Sequence, residues 1–300
     1  MTLKSLSDSV FYIPSPSNIG VVKCNGNKVA LIDSGLDAST GKNLLKLLRK
    51  YELFPVAVIN THFHSDHCGG NRFLKEKADV KIYASKVASV VIEHPFINSY
   101  SLFCGVLPVD TLRNKFVMAE PAKVDIVIDE EGEIAIADKR FNVIPLPGHA
   151  PGHVGVAVDG VLFCGDAFLS ERVLSKVKIP FNVHIGEQKR TLEKLLNLDF
   201  KVFLPSHGGP VENIAEIVKI NKKAILKVEN AVIESLEKEE KTTETIMSDV
   251  CAALNLTIKD SYHYFLIRAA IHAYLSYLSS LGEIYFKVSN NSLIWALNKR

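Results

Sequence analysis

The chain lacks the marks of a membrane, secreted or nucleic-acid-coating protein. It has no uninterrupted apolar run of about 18 residues, so no segment reads as a membrane span. Its five cysteines (Cys24, Cys68, Cys104, Cys164, Cys251) are scattered, odd in number and never spaced C-x-x-C. That favours reduced thiols inside a cell over a disulfide framework. Charge of one sign is missing too: 35 Lys+Arg against 33 Asp+Glu leaves +2, too little for a global field that gathers nucleic acid or acidic lipid. Residues 1–8, MTLKSLSD, lack the apolar core of a signal peptide, and a cytoplasmic location is expected. What remains is ordinary globular composition, 47% apolar and 23% charged. At 300 residues it suggests one large domain, or a large one with a small one.

Against this background one stretch stands out, Asn60-Thr61-His62-Phe63-His64-Ser65-Asp66-His67-Cys68-Gly69-Gly70. A short apolar run, Val56-Ala57-Val58-Ile59, reads as a buried strand before it, and a helix start follows the glycines. Imidazole nitrogen and carboxylate oxygen are ligands of zinc, and also of manganese and iron. A polar surface loop is the plain alternative, but chance is a poor account of three of ten histidines falling with an aspartate inside six residues. One tight loop cannot wrap four such side chains round a single ion without strain. Two adjacent ions divide them naturally, His62 and His64 on one, Asp66 and His67 on the other.

Strand and helix patterns surround the motif. Residues 9–35 read as a β-meander with an Asn25-Gly26 turn, and 38–51 as an amphipathic helix. Asp33, at a strand end, is either a helix cap or an acceptor that orients a ligand histidine. Further strands fall at 80–83, 124–128, 133–136, 141–144, 154–158, 161–164 and 202–204, the fifth and sixth of these joined by Asp159-Gly160. Residues 93–121 break the rhythm. Their aromatics Phe96, Tyr100 and Phe103 are read as a substrate wall, with core packing as the alternative. The alternation points to an α/β layered core.

His149, Asp166 and His207 each close a strand or its following turn and are flanked by glycine or proline. They would share one rim with the first motif. One ion then has His62, His64 and His149, the other Asp66, His67 and His207, and Asp166 can bridge both. Cys68 and Cys164 adjoin these residues but read as small packing groups. His94 and His184 could touch substrate, although lone histidines more often belong to the surface or a satisfied core, and His263 and His272, in the C-terminal region, are given no catalytic part.

His-x-His-x-Asp-His, a later Gly-His, a Gly-Asp after a strand and a late Ser-His-Gly together resemble the metallo-β-lactamase superfamily, over roughly residues 8–210. Gly148-His149-Ala150-Pro151-Gly152-His153 is most similar to its glyoxalase II-like branch. The resemblance implies an αββα sandwich with the site at the edge of two sheets, His149 as ligand and His153 as a structural residue. Two divalent ions, zinc first with manganese or iron as alternatives, would share a water and lower its pKa from ~15.7 towards neutrality for attack on an electrophile. Asp66 would both ligate and accept the water's proton.

Residues 211–241 form one long helical pattern, and 242–300 read as helices followed by a β-hairpin, resembling a winged helix. Similar modules occur in single-strand-directed ribonucleases of this fold. Residues 211–300, however, hold 11 Lys+Arg and 11 Asp+Glu, net zero, which argues against a nucleic-acid partner. Homodimerisation or a substrate-wall role is preferred for the module. The functional expectation is hydrolysis of a small ester or thioester by the catalytic domain 1–210. A ribonuclease and a mononuclear-iron persulfide dioxygenase are the alternatives.

Overall fold

The computed structural model describes residues 1–298. A first sheet runs in chain order through β1 (Lys4–Ser5), β2 (Val10–Ile13), β3 (Ile19–Lys23), β4 (Lys28–Ile32), β5 (Phe54–Ile59), β6 (Lys81–Ser85) and β7 (Ile126–Ile128). β2 to β4 are the antiparallel meander expected from 9–35, and β4 to β7 pair in parallel. Parallel neighbours need crossovers. These carry α1 (Ala38–Lys50), α2 (Ser65–Cys68), α3 (Asn71–Ala78), α4 (Lys86–Glu93) and α5 (Phe96–Leu102). A second sheet has the order β12-β11-β10-β9-β8, built from β8 (Gly132–Ile136), β9 (Lys139–Pro145), β10 (Val154–Val158), β11 (Val161–Gly165) and β12 (Val202–Pro205). Asp159 and Gly160, at φ +47° and +79°, make the mirror-image turn that suits a two-residue hairpin between β10 and β11.

Side-chain alternation sets the layers. Along β4, Ala30 and Ile32 face the second sheet, while Val29 and Leu31 face the helices. β5 repeats this with Ala57 and Ile59 inward and Val58 outward. β11 answers from the other side, with Val161 and Phe163 between the sheets and Leu162 and Cys164 outward. A strand buried on both faces must be apolar along its buried length, and these are, with only the exposed Lys28 opening β4. The result is the αββα sandwich.

Over the second sheet lie α6 (Glu171–Val177), α7 (Ile185–Leu196) and the 23-residue α8 (Ile214–Leu236). Then come β13 (Lys241–Thr242), α9 (Thr243–Ala253), α10 (Ser261–Ser280) and the hairpin β14 (Ile284–Ser289) and β15 (Ser292–Leu297), in a small sheet ordered β13-β15-β14. One apolar core runs from Leu146 and Leu162 through Ile225, Val228 and Val232 to Tyr274, Leu275 and Trp295. Through it the C-terminal elements stand against the sandwich and reach its rim.

Candidate metal centre

β5 ends at Ile59 and releases the chain into residues 60–70 at the carboxyl edge of the first sheet, where open α/β folds bind ligands. The segment is not irregular throughout. Residues 65–68 form one helical turn, with the His67 and Cys68 N–H groups donating to the His64 carbonyl at 2.9 and 3.1 Å. His62 and His64 precede the turn and Asp66 and His67 lie in it, which puts the two pairs into different groups. Buried amides and hydroxyls pin the segment: Asn60 Nδ2 and Ser34 Oγ each donate to the His67 carbonyl at 3.1 Å. A Cβ at Gly69 would stand 1.8 Å from the Leu36 carbonyl oxygen, so only glycine fits there.

All seven residues expected as ligands converge. His62 Nε2 and His149 Nε2 lie 3.0 and 2.9 Å from His64 Nδ1. The other ring nitrogens are spoken for. His149 Nδ1–H donates to the Phe181 carbonyl at 2.9 Å. The Thr61 hydroxyl donates to Asp33 at 2.9 Å and accepts from His62 Nδ1–H at 3.1 Å. Both neutral rings therefore turn a bare Nε2 lone pair towards His64 Nδ1. One proton on His64 can serve only one of them, whereas a cation among the three would be held by all.

The second group is Asp66, His67 and His207, with Asp66 Oδ2 3.5 Å from His67 Nε2 and 3.3 Å from His207 Nε2. Asp166 stands between the groups. Its Oδ2 is 3.4 Å from His149 Nε2 and 3.5 Å from His207 Nε2, and its Oδ1 is 3.6 Å from His67 Nε2. Asp166 Oδ1 is buried without a hydrogen-bond partner. A buried, unsatisfied carboxylate oxygen is costly unless something positive meets it. The donor set and this oxygen fit divalent ions.

Electrostatics separate the two groups. Burial, with the neighbouring His149, pushes His64 down to about 3, and burial and the neighbouring imidazoles hold His62 well below the usual range. These rings stay neutral, as ligands must. Burial opposes charging of His67 as well, but Asp66, Asp166 and Asp33 outweigh it and raise His67 to about 9. His207, against the same effect of burial, is lifted to about 11 by Asp166 and Asp66. Burial in turn would raise the two aspartates, yet the paired imidazoles hold Asp66 at about 2 and Asp166 well below its ordinary value. Without metal, two imidazolium protons supply the positive charge that an ion would bring.

Asp33 does not cap α1; Asp37 does, accepting from Thr40 N–H at 2.9 Å. Asp33 sits at φ +62°, a left-handed conformation that aspartate tolerates better than most residues. Its carboxylate accepts from Thr61 N–H and His67 Nδ1–H, both at 2.8 Å, leaving His67 Nε2 for the centre. Asp33→Asn is expected to weaken metal affinity roughly 10- to 100-fold, the usual effect of losing such a partner. Titration against a chromophoric chelator checks this, with unchanged far-UV circular dichroism as the control. His153 takes a supporting place: burial pushes it to about 3, and its neutral Nε2 accepts from the Asp166 N–H at 3.0 Å. Burial raises the thiols of Cys68 and Cys164 well above their ordinary range, so both pack as neutral groups.

A cavity of 690 Å³ opens onto His149, Asp166 and His207. The three aromatics expected as its wall stand elsewhere. Phe96 is exposed and meets Tyr100 edge-on at 5.8 Å, while Phe103 packs on Phe265 of α10 at 5.1 Å. The cavity lining comes instead from residues 166–182, α8 and residues 256–270, including Phe181, Tyr262 and His263. No local pattern marked these, since their apolar spacing reads as ordinary core. Thr61 had a signal in its place beside His62. His184 caps α7, and His272 bonds its own helix at the Arg268 carbonyl.

An αββα sandwich with a histidine–aspartate cluster at its sheet edge defines a fold with a candidate metal site. The family model described as the metallo-beta-lactamase superfamily matches residues 12–207, and the chain belongs to that superfamily. Among curated proteins it is similar to hydroxyacylglutathione hydrolase of Vibrio cholerae, 30% identical over 135 residues, 45% of this chain and 42% of that one. It is also similar to the probable metallo-hydrolase YqgX of Bacillus subtilis, 28% identical over 182 residues, 59% of this chain and 79% of that one. The chain thus matches less than half the length of the Vibrio enzyme. Among solved structures, the metallo-beta-lactamase family protein TTHA1429 of Thermus thermophilus aligns over 98% of this chain and 100% of its own, with a TM-score of 0.76 at 20% identity. That likeness extends the shared fold to the C-terminal elements.

Proposed function

We propose that the protein hydrolyses a small ester or thioester with two divalent ions, zinc first, held by His62, His64 and His149 and by Asp66, His67 and His207, with Asp166 between them. The observation that carries this is the convergence of three imidazole nitrogens at 2.9–3.0 Å beside a second group with an unsatisfied carboxylate. Ions of this kind, when bound, acidify a water and polarise a carbonyl or phosphoryl oxygen. The chain's own part is to orient and to move a proton. Asp33 and Thr61 fix the tautomers of His67 and His62, and the Phe181 carbonyl fixes that of His149. Asp66, a third exposed at its side chain, is placed to accept the proton that a water loses on attack. Similarity to enzymes named for hydroxyacylglutathione supports a thioester.

We take 1–210 as the catalytic body, 211–241 as a connecting helix and 242–300 as a winged-helix-like unit. Residues of α10 and the loop before it line the cavity, which supports a substrate-wall role over an RNA-binding one, as does the unit's balanced charge. The test is metal content with activity on one preparation. Close to two zinc ions per chain, and thiol release from a thioester panel that stops on chelation, are expected. One iron per chain with oxygen uptake on a persulfide would overturn the hydrolase reading in favour of a dioxygenase.

A further inference from the structure

The cavity has a chemistry that hydrolysis alone does not require. Its polar end is His149, Asp166 and His207, and from there its wall is built by Phe168, by Val173 and Val177 of α6, by Ile225 of α8, and by Leu266 and Ile267 of α10. Phe168 and Ile225 are core residues, while Val173, Leu266 and Ile267 are half-buried. These three separate parts of the chain turn aliphatic side chains to one space that begins at the candidate ligands. Charged residues on the lining, Lys176, Lys259, Asp260 and His263, are themselves exposed and keep contact with water. A volume of 690 Å³ is within the range of sites that enclose a whole small ligand.

A substrate carbonyl placed at the polar end has one of its two arms in this space. A hydroxylated or charged arm would lose water against these aliphatic walls, where the buried polar lining is confined to Asn182, Gln188 and Asn221, and the Asn221 amide is already bonded to the Leu169 and Ile217 backbone. An apolar arm gains from the same burial, by about fourfold in binding per methylene. We propose that the cavity holds the acyl arm, and that the protein acts on esters or thioesters of hydrophobic carboxylic acids, with the leaving alcohol or thiol directed to solvent. This substrate class rests on the reaction proposed above, but the cavity's preference can be measured without turnover.

The experiment uses the full zinc-loaded chain in two arms. Calorimetry with acetate, hexanoate and decanoate reads the cavity alone. Hydrolysis of the acetyl, hexanoyl and decanoyl thioesters of N-acetylcysteamine reads the reaction. Affinity and kcat/KM are both expected to climb with chain length, by about fourfold per methylene until the cavity is full. Ile267→Trp and Val177→Trp, on different helices and both at partly exposed positions, are each expected to lower the decanoyl-to-acetyl ratio of kcat/KM at least tenfold by filling the space. Carboxylate binding that does not change with chain length would overturn the inference whether or not a thioester is cleaved, and so would a flat kcat/KM series. Length-dependent binding with no thioester cleaved would support the apolar cavity and remove the proposed reaction instead.

Discussion

Asp166→Asn is expected to lower kcat/KM by about 10³-fold while leaving far-UV circular dichroism unchanged. The reason starts from position. Asp166 follows β11, is 8% exposed, and is the carboxylate that approaches histidines of both groups. Its ionised form is held by His207 and His67 against burial, so its negative charge is present when metal arrives. Asparagine keeps the shape and one oxygen but removes that charge. If one ion is lost or displaced, the Lewis-acid stabilisation it gives the transition state, on the order of 4 kcal/mol, goes with it, which is about 10³ in rate. His64→Ala should fall as far, because His62 and His149 both converge on its Nδ1. Metal analysis of each variant is expected to give less than the native stoichiometry. A variant at Asp166 that keeps a tenth of native activity would remove this residue from the centre.

Stripping the metal is the second large effect. Chelation should abolish hydrolysis and lower Tm by roughly 4 °C for each ion lost, because an ion at a hundredfold excess over Kd stabilises the folded chain by about 2.7 kcal/mol. The metal-free chain should also have a distinct pH profile. His67 and His207 have folded pKa values of about 9 and about 11, above the ordinary value near 6.5. Their contribution to stability is full below pH 6.5 and is lost as pH rises through 9 and then 11. His64 and His153, lowered to about 3, act in the opposite direction: their contribution is full above pH 6.5 and is lost as pH falls towards 3. The stripped protein should therefore be most stable near neutrality. Loading with zinc near neutral pH must expel the protons on His67 and His207, so affinity should fall as pH falls. Calorimetry in buffers of different ionisation enthalpy should find close to two protons released per chain.

Much of this was legible in one dimension. His62, His64, Asp66 and His67 sit within six residues, so their convergence needed no knowledge of the fold. Residues 29–32, 56–59, 154–158 and 161–164 were visible as apolar runs, because burial on both faces leaves no polar position in them. Turns with a positive φ at Asp159-Gly160 declared themselves by residue type. Other features were not visible. The helical turn at 65–68 hides under ligand residues that carry no helical pattern. α6 is too short, at seven residues, to display a period. Phe96, Tyr100 and Phe103 looked like a wall because they are aromatic and close in sequence, yet α10 takes Phe103 into a packing cluster and Phe96 faces solvent.

By itself the sequence determined the layered fold, the family and the histidine and aspartate make-up of the candidate centre, since side-chain type and local periodicity are properties of short segments. Tertiary structure decided everything that depends on a distance between remote segments. It brought Asp33 to His67 across 34 positions and His149 to His64 across 85. It set Asp166 between two groups and left one of its oxygens unsatisfied. It also chose α6, α8 and α10 as the walls of the cavity. Apolar periodicity says that a helix has a face to bury. Which surface that face meets, and whether a space is left between them, follows from sheet order and packing, which no single segment encodes.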